Sequence, residues 1–186
     1  KKLDHLYSPS NQEVYTPLKL VDEILSKLPS EVWYRTDYKW FNPAVKNGVW
    51  LGAITVKLIK NYLSKSIFNT EEEALSHILK NQIYGYTISK GALRTCNKVL
   101  YGSNKYQGNV EFKNVLEESL KMKFDIVIGN PPYQPPVKNT GKRIGSGNKL
   151  WHKFIEKSFE ITHNNSIISL ITPAHWRNGN FNKSQI

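Results

Sequence analysis

Phe124-Asp125-Ile126-Val127-Ile128-Gly129 runs without a spacer into Asn130-Pro131-Pro132-Tyr133. The first half has the length and apolar character of one buried strand. The second half cannot continue it, because consecutive prolines fix φ and remove two backbone donors. A strand that is apolar on both faces belongs inside a parallel sheet covered by helices. Parallel neighbours need long crossovers, usually helical, so the rest of the chain must alternate strand and helix.

It does. Thr16-Pro17 reads as a helix start, with a hydroxyl cap and proline at the first helical position. Val21, Ile24, Leu25 and Leu28 follow at helical spacing until Pro29. Residues 38–42 read as a short strand turning at Asn42-Pro43. Residues 48–63 read as a helix with Leu51, Ile54, Leu58 and Tyr62 on one face. Thr70-Glu71-Glu72-Glu73 is a capping box for a helix ending near Lys80. Residues 83–88 are β-branched and aromatic, a strand. Ala92, Leu93, Cys96, Val99 and Leu100 mark a helix, with Gly102 just past its end. A strand at 110–113 and a short helix at 115–120 are expected next. Leu150, Trp151, Phe154, Ile155 and Phe159 form a helix stripe, and 166–172 reads as a last strand. The pattern predicts an α/β fold with a mostly parallel, doubly wound sheet.

Several function classes drop out. The longest apolar runs span a few residues, far short of the ~20 a membrane span requires, so no membrane partner is expected. The start of the chain lacks the apolar core of a signal peptide. Cys96 is the single cysteine, which excludes an internal disulfide framework and a Cys-rich zinc site and fits the cytoplasm. His152 and His175 have no partners at metal-ligand spacing, and no metal is expected. Lys and Arg number 26 against 15 Asp and Glu, a net charge of +11. Such an excess favours a polyanionic partner, although a basic surface without that role fits equally well. Lys138, Lys142, Arg143, Lys149 and Lys153 lie close together with no acid among them. They fit phosphate contacts or a solvated loop.

Ligands of open α/β sheets bind beyond the carboxyl ends of strands, where Asn130-Pro131-Pro132-Tyr133 would lie. Asn130 offers a side-chain carbonyl, and the prolines leave carbonyls without competing local donors. Tyr133 offers a π-face. Together they could hold an exocyclic amino group and stack on its ring; the alternative is a strand-to-loop turn stiffened by prolines. These residues resemble the signature of adenine-specific, amino DNA methyltransferases. Other segments match in the same order. Tyr15-Thr16-Pro17 resembles the family's N-terminal Thr-Pro segment, and Phe41-Asn42-Pro43-Ala44-Val45-Lys46-Asn47-Gly48-Val49-Trp50-Leu51 its first cofactor loop. Leu150-Trp151-His152-Lys153-Phe154-Ile155-Glu156-Lys157 and Ile171-Thr172-Pro173-Ala174-His175-Trp176 resemble the helix and strand end after the catalytic loop. This is the γ-type order, common in restriction–modification systems.

The resemblance implies a Rossmann-like methyltransferase fold using S-adenosyl-L-methionine and acting on double-stranded DNA with a flipped adenine. Asn130, Pro131, Pro132 and Tyr133 would form the catalytic loop. Tyr15, Thr16, Pro17, Asn42, Pro43, Ala44, Gly48, Ser89, Asn114 and Phe154 would line the cofactor site, with Phe154 equally suited to the helix core. Lys138, Lys142, Arg143 and Lys149 would contact nucleic acid. The family usually has carboxylates at the positions of Asn42, Ser89 and Asn114, so cofactor binding should be weak. The family's sheet normally adds two further strands and a target-recognition domain. Residues 1–186 would then be one catalytic domain, incomplete at the C-terminal edge of its sheet, that works with a complementing C-terminal part or with a restriction or specificity subunit. Two alternatives stay open: a protein glutamine-amide methyltransferase, and a methyltransferase-like nucleic-acid-binding module with little catalysis.

Overall fold

A computed structural model describes residues 15–102, 108–133 and 150–174. The elements are α1 (Leu18–Leu25), a 3-10 helix (Ser30–Tyr34), β1 (Trp40–Asn42), α2 (Val49–Ser64), α3 (Glu71–Asn81) and β2 (Ile83–Thr87). Then come α4 (Lys90–Tyr101), β3 (Val110–Phe112), β4 (Phe124–Gly129), α5 (Trp151–Glu160) and β5 (Thr162–Leu170). The strands form one sheet in the order β3-β2-β1-β4-β5, and every pairing is parallel. The expected α/β class and doubly wound sheet are what the chain adopts.

Side chains alternate across the sheet and build two cores. Trp40, Ile83, Ile126 and Ile128 point to one face, where Leu51, Ile54, Leu58 and Tyr62 of α2 meet Val21 and Leu25 of α1. The helix face read from the sequence is therefore the one buried. Phe41, Tyr86, Phe124 and Val127 point to the other face and pack with Phe154 and Ile161 at α5. Phe41 stacks on Phe124 at 4.4 Å between ring centroids and meets Tyr86 edge-on at 5.2 Å.

The caps follow the sequence with one exception. Thr70 accepts a bond from Glu73 N, and Glu73 Oε2 accepts one from Asn69 N, so α3 starts on a slightly shifted capping box. Gly102 ends α4 at φ +65°. Thr16, read as the cap of α1, is not one. Pro17 occupies that position, the helix start has no side-chain cap, and the Thr16 hydroxyl is engaged elsewhere.

Three further expectations are corrected. Residues 115–120 are not helical; 115–117 form a turn. Asn114 Oδ1 accepts from Leu116 N and Asn114 Nδ2 donates to Glu117 Oε1, so local side-chain bonds displace a helix too short to stand alone. The α5 stripe does not include Phe159, which is 68% exposed. Lys157 and Ser158 are buried there instead. Ser158 donates to Phe154 O, and Lys157 Nζ donates to Glu118 O and pairs with Glu160. β5 begins at Thr162 rather than Ser166, because an irregular register opposite Phe124 and a positive φ of 71° at Asn165 let the chain join the sheet early. Ser166 Oγ donates to Phe124 O across that irregularity and satisfies it.

A polar network ties the 3-10 segment to the sheet. Gln82, fully buried, donates to Arg35 O at 2.9 Å and Tyr38 O at 3.0 Å. Its Oε1 accepts from the Tyr62 hydroxyl at 2.8 Å. Burial outweighs that bond and pushes the Tyr62 phenol up to about 12.

Candidate active site

The sheet order reverses between β1 and β4, whose neighbours β2 and β5 lie on opposite sides. Beyond the carboxyl ends of β1 and β4 lies a cleft, the place where open α/β sheets bind ligands. Thr16, Asn42, Ala44, Gly48 and Asn130 line it together with Lys46, Asn47, Val49 and Trp50. Its enclosed space is narrow, about 10 Å³.

Each lining residue is held by its neighbours. Asn42 ends β1 and is 2% exposed. Its Oδ1 accepts from Ala44 N at 3.0 Å, turning the chain immediately after the strand. A Cβ on Gly129 would come within 2.8 Å of that Oδ1, so the last residue of β4 must be glycine for Asn42 to lie across it. A Cβ on Gly85 would meet Val45 Cγ2 at 2.4 Å, so β2 also makes room for this turn. Asn47 Oδ1 accepts from Val49 N and leads into α2.

Gly48 precedes α2 at φ +82°. A Cβ there would sit 3.0 Å from both Cys96 Cα and Cys96 Sγ. The glycine is thus required by its backbone conformation and by close packing of α4, beyond any approach of a ligand. Burial pushes the Cys96 thiol up to about 12, leaving it an inert packing group. Gly48→Ala is expected to cost about 1–3 kcal/mol in stability. Urea unfolding checks it, and an unchanged midpoint would mean the turn relaxes without strain.

Asn130 follows β4 and is 8% exposed. Its Nδ2 donates to Thr16 Oγ1 at 3.2 Å, and the Trp50 indole N–H donates to the same oxygen at 3.3 Å. Pro131 is buried, while Pro132 and Tyr133 are half-buried. Burial raises the Tyr133 phenol above its ordinary value. Tyr133 O accepts from Leu150 N at 3.0 Å.

Other residues named from the sequence lie outside the cleft lining. Tyr15 and Pro17 are exposed and Pro43 is buried beside Asn42. Ser89 follows β2, and its Oγ caps α4 by accepting from Ala92 N. Asn114 follows β3 in the turn described above. Asn114, Ser89, Asn42 and Asn130 therefore follow one another along the carboxyl edge of β3, β2, β1 and β4. Phe154 is 5% exposed within the second core. Lys138, Lys142, Arg143 and Lys149 lie outside the described residues.

The profile of the Eco57I restriction-modification methylase family matches residues 35–185. The chain belongs to this family. A curated Mycoplasma pneumoniae protein, described as an uncharacterized adenine-specific methylase, is 24% identical over an alignment covering 89% of this chain and 56% of the relative. The chain thus spans about half the length of the curated relative it matches. Among solved structures, the type I restriction enzyme EcoKI M protein aligns with a TM-score of 0.62 at 16% identity, covering 88% of this chain and 34% of that one. The type ISP restriction-modification enzyme LlaBIII, solved bound to DNA, aligns with a TM-score of 0.67 at 14% identity, covering 90% and 15%. A Listeria monocytogenes protein described as a class I S-adenosylmethionine-dependent methyltransferase aligns at 0.56 and 13% identity, covering 96% and 52%. At these identities the structures speak to the fold, which is the class I methyltransferase fold.

Within this methylase fold some residues escaped the sequence reading. Trp50 and Lys46 line the cleft; both lie in the segment that resembles the first cofactor loop, but neither stands out there as a site residue. Ile88 and Phe112 are 63% and 48% exposed just past and at the ends of β2 and β3, leaving apolar surface along the same sheet edge. No pattern in the sequence separates these from ordinary strand residues. Among the described residues no cluster of His, Cys, Asp and Glu could hold a metal, and no helix is long and apolar enough to cross a membrane.

Proposed function

We propose that this chain carries the catalytic domain of an S-adenosyl-L-methionine-dependent DNA methyltransferase that modifies the exocyclic amino group of adenine in a restriction–modification system. The observation that carries the reading is the Asn130 amide, held at the switch point beside Asn42 in a restriction-modification methylase family member. The Asn-Pro-Pro-Tyr segment and the γ-type motif order support the amino-group acceptor. The mycoplasma relative's description supports adenine, and the net charge supports DNA.

The residues fit the cofactor. Amide groups and the start of α2 line the switch-point cleft, and Ile88 and Phe112 leave apolar surface for a purine along the same edge. Asn42, Ala44 and Gly48 would hold its polar end, with Ser89 and Asn114 further along; Tyr15, Thr16, Pro17, Pro43 and Phe154 would shape the surroundings. S-adenosyl-L-methionine supplies an electrophilic methyl group on a sulfonium. A flipped adenine presents a poorly nucleophilic amino group, its lone pair delocalised into the ring. Asn130 Oδ1 and the Pro131 carbonyl would accept hydrogen bonds from that nitrogen and stabilise the positive charge that grows on it during attack. Pro132 would stiffen the loop. Tyr133 would stack on the base for about 1–3 kcal/mol. Lys138, Lys142, Arg143 and Lys149 would meet phosphates, which position DNA without reading its sequence. Sequence reading would come from a target-recognition part or a specificity subunit, and the setting is the cytoplasm of a prokaryote or a phage-infected cell. Single-molecule sequencing of host DNA with and without the gene tests the reading. Gene-dependent N6-methyladenine at one motif is the expected result; identical methylation in both hosts would overturn it.

One observation favours a second reading. The side chains at the three positions where the family usually has carboxylates are already committed to their own turns or caps: Asn42 to Ala44, Ser89 to Ala92, Asn114 to Leu116 and Glu117. A nucleic-acid-binding module with little cofactor affinity would look the same. Titration calorimetry with S-adenosylmethionine separates the two, since the module gives no heat. The same instrument checks Asn42→Asp. The carboxylate keeps the bond to Ala44 N and adds charge-assisted contacts, so cofactor affinity should rise about fivefold. Equal or weaker binding would remove Asn42 from the cofactor site.

A further inference from the structure

We propose that Thr16 is a positioning residue for Asn130, tying the amide nitrogen so that the amide oxygen is the atom offered to the target amino group. This rests on the reading of Asn130 just given. The link joins parts of the chain 114 residues apart, and neither partner is placed by the local backbone alone. Thr16 is 7% exposed, Trp50 5% and Asn130 8%, so the three-way contact is closed off from most water. An indole N–H can only donate, so Trp50 occupies one lone pair of the Thr16 oxygen. Asn130 Nδ2 occupies the other.

An asparagine amide presents oxygen or nitrogen by a simple flip, and the two ends are nearly equal in shape. A flipped Asn130 would turn a donor toward an amino group that itself donates, and the acceptor needed for catalysis would be lost. The Thr16 contact holds the amide in the orientation in which Nδ2 is tied and Oδ1 accepts no bond from any described residue. This assigns Thr16 a task other than the cofactor contact that the Thr-Pro resemblance implies. It also explains why the hydroxyl does not cap α1.

The test compares Thr16→Val, Thr16→Ser and Asn130→Ala in the full chain. Tritiated S-adenosylmethionine and adenine-unmethylated genomic DNA serve as substrates. Thr16→Val keeps the shape and removes the acceptor, so kcat should fall about 5- to 10-fold, the worth of one buried hydrogen bond, while cofactor Kd stays within about twofold. Thr16→Ser should restore kcat. A parallel readout needs no turnover: in nitrogen-15 spectra, the Asn130 side-chain amide and Trp50 indole signals should both shift in Thr16→Val and return in Thr16→Ser. Unmoved signals would overturn the proposal, as would weakened cofactor binding at unchanged kcat, which marks a cofactor ligand. Wild-type turnover in Asn130→Ala would sink the reading of the loop itself. An inactive Asn130→Ala beside a fully active Thr16→Val would sink the positioning role alone.

Discussion

Asn130→Ala is expected to lower methyl transfer by about 30- to 1,000-fold, the effect of removing one preorganised acceptor worth ~2–4 kcal/mol in the transition state. Cofactor affinity should change little. The side chain reaches toward Thr16, and its free oxygen is the group assigned to the acceptor substrate. Folding should also survive. Truncation leaves Thr16 still bonded to Trp50, so no buried donor is orphaned. The measurement is single-turnover transfer beside calorimetry on the same preparation. A fall in cofactor affinity equal to the fall in rate would move Asn130 from the acceptor side to the cofactor side.

The largest stability effect is expected far from the cleft, at Gln82→Leu. Leucine is close in volume but cannot bond to Tyr38 O, a part-buried carbonyl that then loses this donor. Arg35 O fares better, because the Tyr62 hydroxyl lies 2.8 Å away and, without Gln82 Oε1, its one proton is given to Arg35 O. The expected loss is about 2–4 kcal/mol, the sum of one unsatisfied carbonyl and the bonds no longer made. Tyr62→Phe should cost less, about 1–2 kcal/mol, since Gln82 keeps both carbonyls satisfied and only its own Oε1 loses a donor. Urea unfolding of both variants decides the matter. If Tyr62→Phe costs more than Gln82→Leu, the phenol rather than the amide organises the network.

Long-period features were readable in the sequence. The α2 face, the β4 strand and the capping of α3 and α4 each follow from one dominant pattern that tertiary packing reinforces. Where local chemistry competes with periodicity, the reading failed. Asn114 holds its turn by its own side-chain bonds, and 115–120 never becomes helical. Phe159 fits the α5 stripe by spacing, but the buried places belong to Lys157 and Ser158, whose polar atoms find partners. β5 starts early because Ser166 and Asn165 absorb an irregular register that no periodicity reveals. The candidate site was legible in the same uneven way. Asn130, Asn42 and Gly48 announce themselves through motifs. Trp50 and the engagement of Thr16 do not, since both depend on contacts between segments far apart in sequence. The reason for Gly48 was also only half visible: its φ and its contact with Cys96 are set by how α2 and α4 meet.

The bond from Leu150 N to Tyr133 O has a consequence for how such a protein diversifies. It clamps the two ends of residues 134–149 together at the point where β4 has ended and α5 is about to begin. Whatever is spliced between those ends starts and finishes at the same place, and its length bears only weakly on stability, since doubling a loop costs roughly 0.6 kcal/mol. Exchange of that interval for a chain of another length should therefore leave β4 and α5 on either side in register.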